Sequence, residues 1–384
     1  MTSTYFTRLG DFAKEISRRA PSEANLPVYS VTKHQGFVPS LEYFKKQVFS
    51  RDTKGYKMVA AGELAYATIH LDEGSIGVCP ELSLISPMYT VFSVDETKAD
   101  ATYLERFLKS PKALSAYPTL SKGSVHRRAA ISFGRLAELP VPLPPLPEQR
   151  RIAAILDKAD ALRAKRRETI TKLDQLLLSV FLEMFGDSVT NPKGWPIVAL
   201  STYGTVATGN TPPRSLPENY GPGIEWIKSD NLNTRHDYVT QADEQLSHAG
   251  ERTARVVSSG SILVTCIAGS LSCIGNLAIA DRRVAFNQQI NAITPHSTPS
   301  EFLYFLLKTS KPLIQGASTN GMKGMVNKSK FSGIQLPAPP IELQKEFSRI
   351  FLEMHTHRLL ADAALAKQEA LFAGLQQHVF EGKL

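Results

Sequence analysis

Residues 141–186 read VPLPPLPEQRRIAAILDKADALRAKRRETITKLDQLLLSVFLEMFG, and residues 336–382 repeat the same plan as LPAPPIELQKEFSRIFLEMHTHRLLADAALAKQEALFAGLQQHVFEG. Each copy opens with a proline-rich lead-in and then runs for about 38 residues without proline and, apart from Gly374, without glycine. Proline breaks a helix interior but suits its first turn, so each copy predicts one long helix that starts just after its lead-in. At about 1.5 Å per residue such a helix is roughly 57 Å long, too long for an ordinary globular core.

Both helices carry a ladder of positions at alternating steps of three and four residues. The predicted seam is Ile152, Ile155, Ala159, Leu162, Arg166, Thr169, Leu173, Leu176 and Val180 in the first helix, and Phe347, Ile350, Met354, His357, Ala361, Ala364, Gln368, Leu371 and Leu375 in the second. Each position of the second helix lies 195 residues after its counterpart. A period of about 3.5 residues over several turns is typical of a coiled coil, so the helices are expected to pack on each other.

The segments between the helices repeat as well. Residues 59–64 match 257–262, Ile76-Gly77 matches Ile274-Gly275, residues 104–114 match 303–313, and residues 132–136 match 327–331. The chain is therefore predicted to comprise a first block (residues 1–140), a long helix (141–186), a second block (187–335) and a second long helix (336–384). Short strands mixed with helices predict an α+β fold. Two helices attached to equivalent blocks pair most simply antiparallel, which predicts internal pseudo-twofold symmetry with one block at each end.

Composition narrows the class of protein. The chain has 384 residues and a net charge of +8, and a basic balance favours an anionic partner, nucleic acid first. The first residues predict no signal peptide, and no apolar run is long enough for a membrane span. The cysteines, Cys79, Cys266 and Cys273, lack the spacing of a zinc site. We expect a cytoplasmic protein with no bound metal and no disulfide framework.

Motifs that would indicate catalysis are missing. The sequence contains no G-x-x-x-x-G-K-[ST], no H-E-x-x-H, no C-x-x-C and no G-x-G-x-x-G after a strand. A single-chain DNA methyltransferase would need a cofactor-binding glycine loop and an Asn/Asp-Pro-Pro-aromatic motif, which neither residues 191–193 nor residues 211–213 supply. These absences argue against an enzyme, and no cofactor is expected on this chain.

Polar and basic loops in both blocks are the candidate nucleic-acid contacts. Glycine lets a backbone approach closely, Lys and Arg neutralise phosphates, and Asn or Arg reads base edges. Two glycine-containing loops, residues 120–128 and 318–328, stand at equivalent places in the two blocks. The candidates are Lys33, His34, Lys54, Lys57, Lys122, Ser124, His126, Arg127 and Arg128 in the first block, and Asn210, Thr211, Arg214, Lys228, Asn231, Asn320, Lys323, Asn327 and Lys328 in the second. An ordinary polar surface is the alternative for each.

The whole pattern resembles the specificity subunit of type I restriction-modification systems. Four segments carry the resemblance, namely the lead-ins at residues 139–149 and 336–340, the linker at residues 185–196, and residues 209–212. In the second lead-in Glu342-Leu343-Gln344 stands where Pro147-Glu148-Gln149 stands in the first, and the first block has no close equivalent of residues 208–213.

The resemblance implies that each block is a target recognition domain that reads one half of a split DNA sequence. The long helices would form an antiparallel coiled coil that acts as a ruler between the domains. The chain itself would have no catalytic site and would bind two methyltransferase subunits, which use S-adenosylmethionine, and restriction subunits, which use ATP and Mg²⁺. The alternative is a coiled-coil scaffold that binds proteins without DNA specificity.

Overall fold

The computed structural model describes residues 6–21, 25–33, 35–44, 49–50, 53–120, 130–319 and 324–381. The chain divides into two compact units. The first unit consists of residues 1–168 together with 363–384, and the second unit consists of residues 169–362. Within the described ranges, no helix is both long and apolar enough to cross a membrane.

The first unit is a mixture of short strands and helices. Its strands are β1 (Phe6–Arg8), β2 (Ala13–Ile16), β3 (Val28–Thr32), β4 (Gly36–Pro39), β5 (Lys57–Val59), β6 (Leu64–Ala67), β7 (Ile76–Val78), β8 (Ser83–Ile85), β9 (Tyr89–Val94) and β10 (Pro140–Pro142). Its helices are α1 (Ser40–Phe44), α2 (Ala101–Leu108), α3 (Pro111–Leu120), α4 (Phe133–Leu136), the first part of α5 (Leu146–Phe185) and the last part of the second long helix, residues 363–380.

The second unit repeats this composition. Its strands are β11 (Ile197–Ala199), β12 (Gly204–Thr208), β13 (Tyr220–Ile227), β14 (Gln245–Leu246), β15 (Val256–Val257), β16 (Ile262–Thr265), β17 (Ile267–Ala268), β18 (Leu277–Ile279), β19 (Val284–Phe286), β20 (Ile290–Pro295), β21 (Gly324–Met325) and β22 (Gln335–Pro337). Its helices are the last part of α5 (residues 169–185), α6 (His248–Thr253), α7 (Ser300–Thr309), α8 (Lys311–Gly316), α9 (Lys328–Ser332) and the first part of α10 (Ile341–Phe380).

The strand order confirms the predicted duplication. In the first unit β1 pairs with β10, and two four-stranded sheets have the orders β2-β9-β6-β7 and β4-β3-β8-β5. In the second unit β11 pairs with β22, and the sheets have the orders β12-β20-β16-β18 and β14-β13-β19-β15. The same strand pair is parallel in each case, β3 with β8 and β13 with β19. The α+β fold class and its duplication are therefore those expected from the sequence.

One match between the blocks was wrong by three residues. Gly74 and Gly275 both adopt a left-handed backbone, with φ of 84° and 85°. Each lies just beyond a short 3-10 helix, Leu71–Glu73 or Leu271–Cys273. Because this conformation favours glycine, Gly74 rather than Gly77 is the counterpart of Gly275.

The long helices exist as predicted, but half of the predicted seam was displaced by one residue. In α5 the buried side chains include Leu156, Ile170 and Leu177, whereas Ile155, Leu162 and Leu176 are exposed. In α10 Phe351, Arg358 and Leu365 are buried, whereas His357 and Leu371 are exposed. The observed seam still repeats at 195 residues, because Leu156 and Phe351, like Arg163 and Arg358, are counterparts. The alternation of three- and four-residue steps was correct, but the order of the two steps was reversed.

Within each unit the segments of α5 and α10 run antiparallel. In the first unit Arg163 stacks on Phe372 and Arg167 pairs with Glu369, so higher numbers in one helix face lower numbers in the other. In the second unit Asp174 pairs with Arg358, and Phe181 packs on Phe347. These pairs confirm the predicted direction.

Each unit uses its helix segments to complete its core. In the first unit Phe380 is buried against Tyr103 and Phe107 of α2, and Lys112 of α3 donates a 2.8 Å hydrogen bond to the carbonyl oxygen of Phe380. In the second unit aromatic rings dominate the equivalent contact, with Phe181, Phe185, Phe302, Phe305, Phe347 and Phe351 in one cluster. Burying one such ring is worth roughly 1.5–3 kcal/mol, so the helices are integral parts of both cores.

Candidate nucleic-acid interface

Three connections of the second block meet at one edge of its sheets. Residues 209–219 follow β12, residues 228–244 follow β13, and residues 287–289 join β19 to β20. The first connection approaches the third so closely that a Cβ on Gly209 would overlap the carbonyl oxygen of Asn287. The hydroxyl of Thr211 donates a hydrogen bond to the side chain of Gln288 across this contact. Glycine at position 209 is therefore what allows the loops to meet.

Trp226 on β13 is the centre of a charged cluster. The Arg214 guanidinium lies 4.2 Å from the centroid of the Tyr220 ring and 5.3 Å from that of the Trp226 ring. The Lys228 ammonium lies 5.1 Å from the same Trp226 ring. Stacking of cations on aromatic faces is favourable, most of all on tryptophan. Two of the sequence-predicted cations are therefore held beside one indole.

Glu244 joins these two cations. Its carboxylate accepts a hydrogen bond of 3.0 Å from Arg214 and one of 2.7 Å from Lys228, and a second donor of Arg214 bonds its other oxygen. The hydrogen bonds from Arg214 lower the pKa of Glu244 to about 2, with a smaller contribution from Lys228. Glu244 is therefore an anion at any physiological pH. We call Arg214, Tyr220, Trp226, Lys228 and Glu244 the Trp226 cluster.

Two further predicted residues, Asn210 and Asn231, accept hydrogen bonds from residues of the Trp226 cluster. The indole N–H of Trp226 donates to the carbonyl oxygen of Asn210, and the Asn210 amide donates to the carbonyl oxygen of Thr253. Asn231 accepts a 3.0 Å hydrogen bond from the backbone N–H of Lys228 and donates to Thr240. Both amides therefore bond protein groups in this structure. The five candidates between residues 210 and 231 form one contiguous surface.

A buried charge cluster anchors the connection that carries Glu244. Asp237 accepts a 2.8 Å hydrogen bond from Tyr304, and its carboxylate lies 3.0 Å from Arg358 and 3.3 Å from Lys308 and His355. Burial opposes ionisation of Asp237, but the hydrogen bond from His355 and the charges of Lys308 and Arg358 outweigh it and hold the pKa of Asp237 well below its usual range. The connection is thus tied to α7 and α10 at its midpoint.

The remaining described candidates of the second block lie at another helix. Asn327 caps the N-terminus of α9, where its side chain accepts a hydrogen bond of 2.9 Å from the backbone N–H of Lys330. Lys328 is exposed in the first turn of the same helix. Ser132 holds the matching place before α4. The structure therefore gives Asn327 a capping contact, while its predicted role at DNA stays a prediction.

In the first block three predicted lysines are described, and they have different surroundings. Lys33 follows β3 as Lys228 follows β13, is exposed, and lies 3.9 Å from Glu73. Lys57 opens β5 and donates a 2.7 Å hydrogen bond to the carbonyl oxygen of Tyr89. Lys54 is exposed in the turn before β5. Only Lys33 has a counterpart in the Trp226 cluster.

Eight candidates lie outside the described residues. They are His34, Lys122, Ser124, His126, Arg127, Arg128, Asn320 and Lys323. Residues 121–128 of the first glycine-containing loop and residues 320–323 of the second lie outside the described residues, so the roles of these candidates remain predictions.

Sequence reasoning missed several residues that the fold places at this edge of the second block or at the equivalent edge of the first block. Glu244 and Gln288 in the second block are two of them. In the first block Arg18 and Arg19 follow β2 as residues 209–214 follow β12, and Arg18 pairs with Glu63. The sequence did carry a usable signal. Two adjacent arginines follow a short strand of the first block, at the place that residues 209–214 occupy in the second block.

Known proteins match this chain in sequence. The sequence model described as "Type I restriction modification DNA specificity domain" matches residues 87–172 and 192–357. The chain is 22% identical over 329 residues to the putative type I restriction enzyme MjaX specificity subunit of Methanocaldococcus jannaschii, covering 80% of this chain and 74% of that protein. It is 34% identical over 170 residues to the HindI specificity subunit of Haemophilus influenzae, covering 42% and 36%.

Solved structures share the fold over nearly the full length. A type I restriction-modification S subunit from M. genitalium aligns over 99% of this chain and 97% of its own, with a TM-score of 0.60 and 12% identity. A chain from a study of complex assembly and conformational transition of the type I R-M system aligns over 99% and 98%, with a TM-score of 0.58 and 19% identity. At these identities the likeness concerns the fold.

Proposed function

Because the chain belongs to the type I restriction modification DNA specificity domain family and is a non-catalytic DNA sequence-specificity subunit, we propose that each of its two blocks reads one half of a split DNA target. The observation that carries the proposal is the duplication itself. Both blocks have the same strand order, and each places a lysine directly after the strand that pairs in parallel, Lys33 or Lys228. Two equivalent reading units in one chain suit a target with two parts.

The Trp226 cluster and its neighbours support a role in reading DNA. Arg214 has five N–H donors in a planar fork that matches the acceptors of guanine, and asparagine matches adenine. Lys228 and Arg214 supply positive charge for phosphates. We propose that Asn210, Thr211, Arg214, Lys228 and Asn231 form the contact surface of the second block, and that Arg18, Arg19 and Lys33 contribute to that of the first.

The long helices support a ruler. α5 and α10 each contain 40 residues, which at about 1.5 Å per residue gives a length of roughly 60 Å. Reading units separated by helices of this length would contact half-targets within one to two helical turns of DNA, with an unread spacer between the half-targets. We propose that the helix pair sets the length of that spacer.

The family implies DNA and a restriction-modification complex as partners. We propose that two methyltransferase subunits and the restriction subunits bind this chain in the cytoplasm. The methyltransferase subunits would supply S-adenosylmethionine, and the restriction subunits would supply ATP- and Mg²⁺-dependent activity. This chain would contribute only recognition and positioning.

Methylation-aware sequencing tests the proposal. Cells that express the chain with its neighbouring methyltransferase are compared with cells that lack the chain. The expected result is a split, methylated motif that disappears when the chain is absent. Unchanged methylation in both strains would contradict the proposal and favour a protein-binding scaffold. A salt series of direct DNA binding then separates the two, because phosphate contacts make affinity fall steeply with salt.

A further inference from the structure

We propose that Glu244 is the positioning residue of the second block, which makes Arg214 and Lys228 discriminate between sequences instead of binding any DNA. The inference rests on the proposed function, because it assumes that the Trp226 cluster faces DNA. A carboxylate on a DNA-binding surface repels phosphates and would lower affinity if it did nothing else. Its contacts indicate what it does instead.

The contacts of Arg214 hold its side chain in one orientation. Glu244 bonds two donors of the guanidinium with both carboxylate oxygens, while the guanidinium lies 4.2 Å from the centroid of the Tyr220 ring and 5.3 Å from that of the Trp226 ring. A bidentate pair fixes the plane of the fork, and an aromatic face fixes its height. The Arg214 side chain is 57% exposed even so. A long exposed side chain is thus held in one geometry with donors still facing solvent.

Glu244 also reduces the positive charge of the Trp226 cluster. Arg214 and Lys228 carry two positive charges and Glu244 carries one negative charge, so the three side chains together carry +1. Free cations bind phosphates of any sequence, since the backbone contributes affinity without sequence information. A base edge offers acceptors to a fork whose plane is already set, at a lower loss of side-chain entropy than an unrestrained arginine. The carboxylate therefore weakens non-specific binding and leaves the directional contact.

The two blocks differ at the position of Glu244. Glu244 immediately precedes β14, and Gln35 immediately precedes the corresponding β4. The connection between β3 and β4 is residues 33–35, whereas that between β13 and β14 is residues 228–244. The insertion brings the carboxylate, and Asp237 anchors the insertion to α7 and α10. A Glu244→Gln variant therefore gives the second block the uncharged residue that the first block already has at this position.

Methylation-aware sequencing of cells with the whole complex provides the test, since the modified bases themselves reveal the target. The variants are Glu244→Gln and Arg214→Lys. Asp243→Asn is the matched control, because it removes the same charge from the neighbouring, exposed residue of the same connection. We expect methylation of sites with one mismatch in one half of the motif to rise at least about tenfold in both test variants. The other half of the motif should stay strict, and the control should match the wild type.

Binding of the purified complex to a random duplex gives an independent reading. Glu244→Gln should bind the random duplex more tightly than the wild type. The slope of log affinity against log salt concentration should also become steeper, by about the amount that one additional phosphate contact contributes. The proposal is overturned if both halves of the motif stay strict in Glu244→Gln, or if relaxation affects both halves equally. Loss of methylation together with loss of soluble chain would assign Glu244 a structural role and also overturn it. If the wild type itself methylates no split motif, the proposed function fails first.

Discussion

Arg358 of α10 lies 3.0 Å from the carboxylate of Asp237, and only 3% of the Asp237 side chain is exposed. Asp174 is the other acidic partner of Arg358. Replacing Asp237 with asparagine leaves a buried guanidinium with this single carboxylate at the helix seam. Breaking a buried pair from one side costs about 3–5 kcal/mol, because the remaining charge stays desolvated.

Urea unfolding should therefore show a lower free energy of unfolding for Asp237→Asn by about 3 kcal/mol or more. Asp243→Asn is the matched control, since Asp243 is exposed in the same connection, and its effect should stay within about 0.5 kcal/mol. Equal effects of the two variants would show that the buried cluster does not anchor the connection.

The depressed pKa of Glu244 predicts a pH-dependent stability. The carboxyl group has an ordinary pKa of 4.5 and one of about 2 in the folded chain, so the folded state binds the proton more weakly than the unfolded state. The stabilisation is fully present above the unfolded pKa and is lost as the pH falls toward the folded one. The difference in free energy of unfolding between wild type and Glu244→Gln should be constant above about pH 6 and shrink between pH 4.5 and 2. A difference that grows with acidification would contradict the ion pair.

The phase of the helix seam can be tested with neighbouring residues. Leu156 is completely buried in the first unit, whereas Ile155 is 38% exposed. Leu156→Ala should lower the free energy of unfolding by about 2–5 kcal/mol through lost burial and a residual cavity. Ile155→Ala should cost less than about 1 kcal/mol. Thermal or urea unfolding measures both, and the reverse order would restore the seam expected from sequence.

Shortening the helices tests the proposed ruler. Removing seven residues from α5 and seven from α10 keeps the seam in phase, because the pattern repeats every seven residues. Each helix becomes about 10 Å shorter, which corresponds to roughly three base pairs. Methylation sequencing should then find the same half-targets around a shorter spacer. Altered half-targets with an unchanged spacer would refute the ruler.

The seam illustrates what sequence reasoning reached and where it stopped. The alternation of three and four residues predicted both helices and their pairing. It did not determine the phase, since Ile155 and Leu156 are both apolar and both fit the pattern. Arg163 and Arg358 decide the phase, because each occupies a seam position and finds partners there. Hydrophobic spacing favours Leu162 over Arg163 as the seam residue, although Leu162 is 50% exposed.

The candidate site shows a similar limit. Basic and amide residues of the second block were predicted from type alone, and five of them form one surface. Glu244 was missed because an acidic side chain argues against a DNA-facing surface, and because it is remote in sequence from Arg214. Only the pairing of β13 with β14 brings it to Trp226. Residue type suggested DNA as the partner. The strand pairing was needed to find Glu244, which contacts Arg214 and Lys228.

The burial of Phe380 against α2 has a consequence for the order of events during synthesis. The first unit needs residues 363–384, while the second unit is complete at residue 362. A ribosome therefore makes the first block early, whereas the residues that close the core of the first unit follow the whole of the second unit. The second unit can fold while the first still exposes the pocket for Val379 and Phe380. The first unit thus cannot complete its core until residues 363–380 have been translated, after the whole of the second unit.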